Sequence, residues 1–265
     1  MEYANGILYL HHSSVGKPGM LADLHCHNRF ELLYISSGQM SHVVEDRKYT
    51  VCGGDLVLVR PSTYHYLEQL TAETYDRYNI LFDPEQIGVN VGSLPEDTEV
   101  ISLLNNPIAI GLFQKIDFYR NGLSPEDFSA FLAMLLRELF LNLRIFSNPH
   151  HREKTMISPI LTRALDYINE NLFTITDVEQ IAQALYISPS YLFYLFRTAL
   201  HQTPKKYITD KRLLAAQQQI RGGDKPTEVY QVCGFRDYTT FFRSYTAYFG
   251  HTPSQEGKQS SLYSF

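Results

Sequence analysis

Three side chains that can bind metals or small polar molecules lie close together near the start of the sequence: His25, His27 and Glu31. Their spacing has even parity, so on a single β-strand all three would project from the same face. Imidazole and carboxylate groups ligate divalent metals and hydrogen-bond polar molecules, and they also occur as interior groups that their neighbours satisfy. The sequence leaves these three interpretations open.

Short antiparallel strands are predicted to position these residues. From about residue 23 to residue 82, apolar residues alternate in short runs that are bounded by Gly38, Gly53, Gly54 and Pro61. Runs of this length and spacing predict an all-β region, either an antiparallel sandwich or a small barrel.

A long amphipathic helix is predicted over residues 124–146. Ser124 and Pro125 are typical of a helix start, and the apolar residues behind them recur at spacings of three and four. Periodicity indicates a buried face without identifying its partner, so the stripe packs on the chain's own strands or forms the seam of a homodimer. The stripe consists of Phe128, Phe131, Leu132, Leu135, Leu136, Leu139 and Leu143.

Charge divides the chain into two parts. The 265 residues are 44% hydrophobic with a net charge of -5, which excludes a disordered or collagen-like chain. Residues 1–149 carry 10 Lys+Arg and 18 Asp+Glu, whereas residues 150–265 carry 13 and 10. The polar segment 150–157 is therefore predicted to link a domain over 1–149 to a domain over 158–265.

The cysteines and the apolar runs predict the cellular compartment. Three cysteines without a CxxC pair favour neither a disulfide framework nor a structural zinc site, which is typical of a reduced compartment. The sequence also lacks an apolar run near the roughly 20 residues that cross a bilayer. We therefore expect a cytoplasmic protein that does not act in a membrane.

The C-terminal part is predicted to consist of short helices that begin at capping residues. Ser158 and Ser188 each precede a proline, and Thr176 with Glu179 is predicted to form a capping box. When residues 188–204 are shifted by 49 positions onto 237–253, a cap, three apolar residues and a closing Thr-Pro recur in register. Each copy follows a shorter helical segment, so two helix-turn-helix units are predicted.

The segment between the two units is predicted to be one helix over residues 204–220, about 17 residues and roughly 25 Å long. A rigid spacer of that length would allow two recognition helices to enter successive major grooves, about 34 Å apart. Together with the basic charge of this half, the repeat indicates DNA binding. The alternative is a small helical bundle with a duplicated hairpin and no nucleic-acid role.

Residues 158–253 resemble the DNA-binding domain of the AraC/XylS transcription regulators. The resemblance rests on the segments ALDYINENLF, IAQALYISPSYLFYLFRTALHQTPKKYITDKRLLAA and VCGFRDYTTFFRSYTAYFGHTP. It implies an α+β chain of two domains, in which a cupin-like β-barrel with dimerisation helices precedes an all-α domain with two helix-turn-helix motifs. The cupin motifs that support this are Gly19, His25, His27, Glu31 and Gly38, then Gly54 and His65.

The resemblance also places base-facing side chains on both recognition helices. Aromatic groups at these positions cannot form the bidentate contacts that Arg, Gln or Asn make to base edges, so weak or thymine-biased specificity is expected. Arg212 is a candidate phosphate contact or a buried partner of Asp210 or Asp237. The expected DNA-binding residues are Ser190, Phe193, Tyr194, Arg197, Tyr238, Thr239, Phe242 and Arg243, and further phosphate candidates are Lys205, Lys206, Lys211 and Arg236.

Three departures from the family pattern fall in or next to the second helix-turn-helix. Pro226 stands where the family favours Ile or Val, and Tyr230 stands where it favours Ala. Glu256-Gly257 replaces the usual Tyr-Arg. We therefore expect this unit to pack unusually.

The cupin resemblance brings His65 to the same interior as His25, His27 and Glu31. Three histidines and one glutamate form a complete ligand set for zinc, nickel, manganese or iron, as in a metal-dependent cupin enzyme. The DNA-binding half instead favours a sensor in which His27, Glu31 and His65 hydrogen-bond a small polar effector such as a carbohydrate, without a cofactor. The resemblance thus implies a non-enzymatic homodimeric regulator that activates genes for sugar uptake or breakdown together with RNA polymerase.

Overall fold

The structure is a computed structural model that describes residues 2–4, 6–88, 91, 99–145, 150–151 and 154–256. The chain divides into two compact units, Met1–Thr155 and Met156–Phe265. Segment 150–157, which the sequence predicts to be a linker, contains two short strands, His150–His151 and Lys154–Met156. The domain limits at residues 149 and 158 stay a prediction.

The strands of the described residues form two antiparallel sheets. Their bounds are β1 Glu2–Ala4, β2 Ile7–Val15, β3 Leu21–His25, β4 Phe30–Ser37, β5 Gln39–Val44, β6 Arg47–Cys52, β7 Asp55–Val59, β8 His65–Gln69, β9 Thr74–Phe82, β10 Val100–Ser102, β11 His150–His151 and β12 Lys154–Met156. One sheet has the strand order β1-β2-β9-β4-β7-β10-β11, and the other has the order β12-β6-β5-β8-β3.

Strand β4 has a buried side chain on both of its faces. Leu33 and Ile35 pack with Met40 and Leu67 in a core that both sheets share. Leu32, on the opposite face of β4, belongs to a second core that the seven-stranded sheet shares with helices. The predicted all-β layer is confirmed, and its central strands are buried more completely than an alternating pattern indicates because helices cover the outer face.

Helix α4 (Pro125–Ile145) packs on the chain's own sheet. Ser124 caps it, because its hydroxyl oxygen accepts a hydrogen bond from the amide of Asp127 at 3.1 Å. The predicted stripe lies in the second core, with Leu136 and Leu139 fully buried. The interpretation of this stripe as a dimer seam is therefore wrong. The other helices of this unit are α1 Pro84–Ile87, α2 Pro107–Gln114 and α3 Ile116–Gly122.

The second unit contains both predicted helix-turn-helix pairs. Its helices are α5 Pro159–Asn171, α6 Val178–Ala184, α7 Pro189–Leu200, α8 Pro204–Arg221, α9 Pro226–Val232 and α10 Tyr238–Phe249. Helices α6 and α7 form the first pair, α9 and α10 form the second, and α8 joins them as one helix of 18 residues. A short 3-10 helix, Pro253–Gln255, follows α10.

Local capping explains where most of these helices begin. Ser158 and Ser188 are N-caps as predicted. The predicted capping box of Thr176 and Glu179 is wrong, because Asp177 caps α6 and accepts a hydrogen bond from the amide of Gln180 at 3.0 Å. The helix thus begins one residue later than the Thr-x-x-Glu pattern suggests.

The three departures in and near the second helix-turn-helix are accommodated by aromatic and buried polar contacts. Pro226 is the first residue of α9, where a missing amide hydrogen costs nothing. The ring of Tyr230 packs edge-on against Tyr238, with ring centroids 5.7 Å apart. Glu256 is buried, and its carboxylate accepts hydrogen bonds from Arg221 at 2.8 Å and from Tyr245.

Candidate functional site

The predicted histidine and glutamate residues converge at one place in the first unit. His25 ends β3 and pairs in register with His65, which begins β8, whereas Glu31 lies on β4 of the other sheet. His27 lies in the loop between β3 and β4, so the prediction that His25, His27 and Glu31 share one strand is wrong. The loop returns the chain to the opposite sheet, and this brings the side chains together across the two sheets.

The three histidines surround a single carboxylate oxygen. Oε2 of Glu31 lies 2.9 Å from Nε2 of His65, 3.1 Å from Nε2 of His27 and 3.8 Å from Nε2 of His25. One ligand atom from each of the four residues lies within 4.8 Å of the others. We call these four residues the His3Glu cluster. Its spacing and donor set fit a divalent transition metal.

The environment of Glu31 keeps its carboxyl group ionised. Burial by itself would raise its pKa, but hydrogen bonds with His27 and His65 and the nearby charges of His65 and His25 hold the pKa well below its usual value. The other carboxylate oxygen, Oε1, accepts a hydrogen bond of 2.7 Å from Nδ2 of Asn79. The carboxylate is therefore fixed in orientation as well as in charge.

Two buried polar residues near the cluster are missed by the sequence analysis. Asn79 comes from β9 and orients Glu31. His42 comes from β5, and its ring lies 6.2 Å from the ring of His65. Burial, followed by repulsion from the charge of His65, lowers the pKa of His42 to about 3. The parity of His42 and Asn79 on their strands indicates interior side chains, but only the strand pairing shows that they neighbour the cluster.

None of the predicted DNA-contact residues is buried in the helical unit. Ser190, Tyr194 and Arg197 are exposed on α7, and Phe193 is partly exposed. On α10, Thr239 and Arg243 are exposed, whereas the rings of Tyr238 and Phe242 are half-buried. These side chains lie on the second helix of each helix-turn-helix pair. Their contacts with DNA stay a prediction.

Arg212 has a structural role that neither sequence interpretation includes. Its guanidinium donates hydrogen bonds to the backbone carbonyl oxygens of Leu172, Ile175 and Gly234 at 2.8, 2.6 and 2.8 Å. These bonds use one N–H group on each of Nε, Nη1 and Nη2, and the expected pair with Asp210 or Asp237 is wrong. A phosphate contact of Arg212 stays a prediction. Asp210 instead accepts from Nζ of Lys206 at 2.5 Å.

Two further exposed tyrosines, absent from the predicted contact set, lie on or just before the first recognition helix. Tyr186, in the turn before α7, is 93% exposed and has a positive φ of 56°. Tyr191 is exposed and stacks with Tyr194 at an interplanar angle of 16°. The run YISPSYLFY is the sequence signal for this aromatic surface.

Comparison with known protein families agrees with this arrangement of a strand-built unit and a helix-turn-helix unit. A family model described as an AraC-like ligand binding domain matches residues 9–154, more than half of the chain. The chain belongs to the AraC family. A second model, described as a helix-turn-helix domain, matches residues 181–259 of this AraC-family chain.

Curated relatives are regulators as well. The transcriptional regulator YijO of Escherichia coli (strain K12) is 24% identical over 216 residues, which cover 79% of this chain and 75% of YijO. The transcriptional activator RhaR of Cronobacter sakazakii is 26% identical over 242 residues, 86% of this chain and 84% of RhaR. The raffinose operon regulatory protein RafR of Pediococcus pentosaceus is 30% identical over 100 residues, 37% of this chain and 36% of RafR.

The AraC-family chain is thus a DNA-binding transcription regulator with an N-terminal ligand-binding domain, and not a metal-dependent cupin enzyme. In the described part of the chain, helices that are long and apolar enough to cross a bilayer are absent.

Proposed function

We propose that this AraC-family regulator binds a small polar effector between its two sheets and in response activates genes for the uptake or breakdown of a sugar. The observation that carries the proposal is the convergence of His27, Glu31 and His65 on one point within the ligand-binding domain. Interior polar groups at hydrogen-bonding distance suit a ligand with several hydroxyl or carboxylate oxygens. The name of the relative RafR refers to a sugar operon, which supports the carbohydrate class.

The proposed DNA contacts divide into base-reading and phosphate-binding side chains. Arg243, exposed on α10, is the group best suited to hydrogen-bond a base edge, and Tyr194 would contact a thymine methyl group. Arg197, Lys205 and Arg236 are exposed cations that would bind phosphates. Recruitment of RNA polymerase and a cytoplasmic location complete the proposal.

A homodimer is also proposed, through the outer face of α4 rather than through its buried stripe. Met134, Leu141 and Ile145 are 62%, 54% and 80% exposed. With Glu138 they follow the alternating spacings of four and three residues that define a two-helix seam. Ile108 of α2, 60% exposed, extends this apolar surface. A second copy of the same helix has the matching pattern, so it is the proposed occupant.

The test of this function is a selection for DNA sites. The purified full-length chain is incubated with fragmented genomic DNA from the source organism at two salt concentrations, and the retained fragments are sequenced. Enrichment of a few intergenic sites that weakens as salt rises is the expected result, because phosphate contacts release counterions. Uniform retention of all fragments would overturn the proposal. So would retention equal to that of a chain that ends at residue 157 and therefore lacks the helix-turn-helix units.

A further inference from the structure

Three exposed tyrosines surround the start of the first recognition helix, α7. Tyr186 lies in the turn before the helix, and Tyr191 and Tyr194 lie in its first two turns. Tyrosine is enriched at interfaces, because its ring contributes contact area and its hydroxyl group keeps a polar partner. The helix-turn-helix family model covers all three residues, which makes DNA the partner of this surface.

Tyr191 and Tyr194 form a preorganised pair. Their ring centroids are 6.2 Å apart, and the ring planes are inclined by only 16°. Residues three apart on a helix are neighbours, and here each ring restricts the other, so binding immobilises little further side-chain freedom. Successive base pairs are about 3.4 Å apart along the duplex, so the two rings together cover about two base steps.

The chemistry of this pair favours thymine. A phenol ring does not form the bidentate hydrogen bonds that identify guanine or adenine, but it packs against the C5-methyl group that thymine presents in the major groove. Residues near the N-terminus of a recognition helix contact base edges, and Tyr191 and Tyr194 are the third and sixth residues of α7. Arg197 and Lys205 are exposed cations that match the negative charge of the flanking phosphates.

Tyr186 occupies a backbone position that glycine usually takes. The Tyr186 amide donates to the carbonyl oxygen of Gln183 at 3.1 Å, and the Ile187 amide donates to that of Ala182 at 3.0 Å, which is the Schellman motif at the end of α6. Tyr186 therefore has a φ of 56°, which is strained for a bulky residue. Its side chain is 93% exposed, so packing within the chain does not offset the strain. Strain of this kind is typical of functional positions.

We infer that the Tyr191–Tyr194 pair contacts the methyl groups of two thymines that lie no more than two base steps apart. The same surface places the Tyr186 hydroxyl group as a donor to a backbone phosphate beside them. The inference rests on the proposed function in one respect, since it concerns the DNA sites that the regulator selects. It gives the first recognition helix its own sequence preference, separate from the contact of Arg243 on α10.

The test of the thymine contacts replaces each thymine of a selected site with uracil, one at a time, which removes only the methyl group. Fluorescence anisotropy gives the affinity of the full-length chain for each duplex. With the wild-type chain, two of the replacements should each weaken binding about 4-fold, the value of one buried methyl group. Tyr191→Ala should abolish the effect at one of these thymines and Tyr194→Ala at the other. Tyr191→Phe and Tyr194→Phe, which keep the rings, should retain both effects.

The test of the phosphate contact uses two variants of Tyr186. Tyr186→Phe removes only the hydroxyl group and should weaken binding to selected and unrelated DNA equally, by about 5-fold, the value of one hydrogen bond. Tyr186→Gly should weaken DNA binding to the same extent and raise the urea midpoint of unfolding, because glycine adopts the positive φ without strain. A residue with a purely structural role would not combine higher stability with weaker DNA binding.

Separate results would overturn each part. Selected sites in which the affinity is insensitive to every uracil replacement, or replacement effects that persist in both alanine variants, would remove the thymine contacts and leave the regulatory function intact. Wild-type DNA affinity of Tyr186→Phe and Tyr186→Gly would remove the phosphate contact. If the genomic selection yields no sites, the proposed function and this inference fail together. The wild-type uracil series requires no variant, and circular dichroism verifies the fold of the variants.

Discussion

The guanidinium of Arg212 donates a 2.8 Å hydrogen bond to the backbone carbonyl oxygen of Gly234. Arg212 lies on α8, and Gly234 lies in the turn of the second helix-turn-helix with φ of 80°. A Cβ atom at Gly234 would approach the carbonyl oxygen of Phe173 to 2.6 Å, so glycine is required there by both space and conformation. The same guanidinium binds the chain just before α6. One side chain thus connects both helix-turn-helix units to the helix between them.

Replacing Arg212 with alanine should destabilise the helical unit by about 3 kcal/mol, because carbonyl groups lose a charged donor. The measurement is the free energy of unfolding in urea, followed by circular dichroism. Arg197→Ala is the matched control, since that guanidinium is exposed, and it should change stability by less than about 0.5 kcal/mol. Unchanged stability of Arg212→Ala with lost DNA affinity would return Arg212 to the phosphate contacts.

The two faces of α4 should respond differently to substitution. Leu136→Ala removes a fully buried side chain and should lower the free energy of unfolding by about 2–5 kcal/mol. Leu141→Glu alters an exposed residue and should leave unfolding unchanged while it converts a dimer into a monomer. Light scattering measures the mass. A dimer mass that persists in Leu141→Glu would show that the outer face of α4 is not the seam.

His42→Leu should stabilise the metal-free and effector-free chain by about 1 kcal/mol, because it replaces buried ring nitrogens without partners by an apolar group of similar size. Urea unfolding of both proteins after chelator treatment measures the difference. A substantial loss of stability instead would mean that His42 already forms hydrogen bonds in the free protein.

The Asp237 cap of α10 should make the free energy of unfolding depend on pH. Its carboxylate accepts a 2.8 Å hydrogen bond from the amide of Thr240, and the hydrogen bonds from Thr240 lower its pKa below the usual 3.8. The charged cap therefore stabilises the folded state above about pH 4, and this contribution disappears as pH falls through the lowered pKa. Asp237→Asn retains a capping side chain that does not titrate.

The comparison of these two proteins isolates the cap. The difference in unfolding free energy between wild type and Asp237→Asn should be constant at neutral pH and should move in favour of Asp237→Asn below about pH 4. A difference that does not change between pH 6 and pH 2.5 would show that the cap is not charged in the folded protein.

Arg243 and Lys205 should affect DNA binding in different ways. Arg243→Ala should weaken binding to a selected site at least 10-fold more than binding to unrelated DNA, since a base contact carries specificity. Lys205→Ala should weaken binding to the selected site and to unrelated DNA about equally. It should also reduce the slope of log affinity against log salt concentration by about 1, since a phosphate contact releases counterions. Fluorescence anisotropy at several salt concentrations gives both quantities. Equal effects of Arg243→Ala on both DNAs would assign Arg243 to the backbone.

Local signals in the sequence are sufficient to predict the helical unit. The caps at Ser158 and Ser188 and the apolar spacing along α7 and α10 depend on residues within a few positions of each other. A single-residue error remains at Thr176, where Asp177 competes for the same capping role. The three carbonyl partners of Arg212 lie 22 to 40 residues away, and local patterns contain no information about them.

The His3Glu cluster also depends on contacts between residues that are distant in the sequence. The residue types and parity of His25, His27 and Glu31 predict that they meet, yet they do so across two sheets and not along one strand. Asn79 and His42 enter the site through the pairing of β9 with β4 and of β5 with β8. The register between strands that are far apart in the sequence is set by packing of the whole core. The sequence alone therefore does not indicate that Asn79 and His42 are neighbours of the cluster.

Hydroxyl-radical footprinting of a selected DNA site tests whether both helix-turn-helix units bind one duplex. Helix α8 has 18 residues and is about 27 Å long, and it should hold the two recognition helices in successive major grooves. We expect two protected patches about 10 base pairs apart on one face of the DNA, and we expect Arg243→Ala to lose the patch contacted by α10. A single protected patch that Arg243→Ala leaves intact would contradict this expectation.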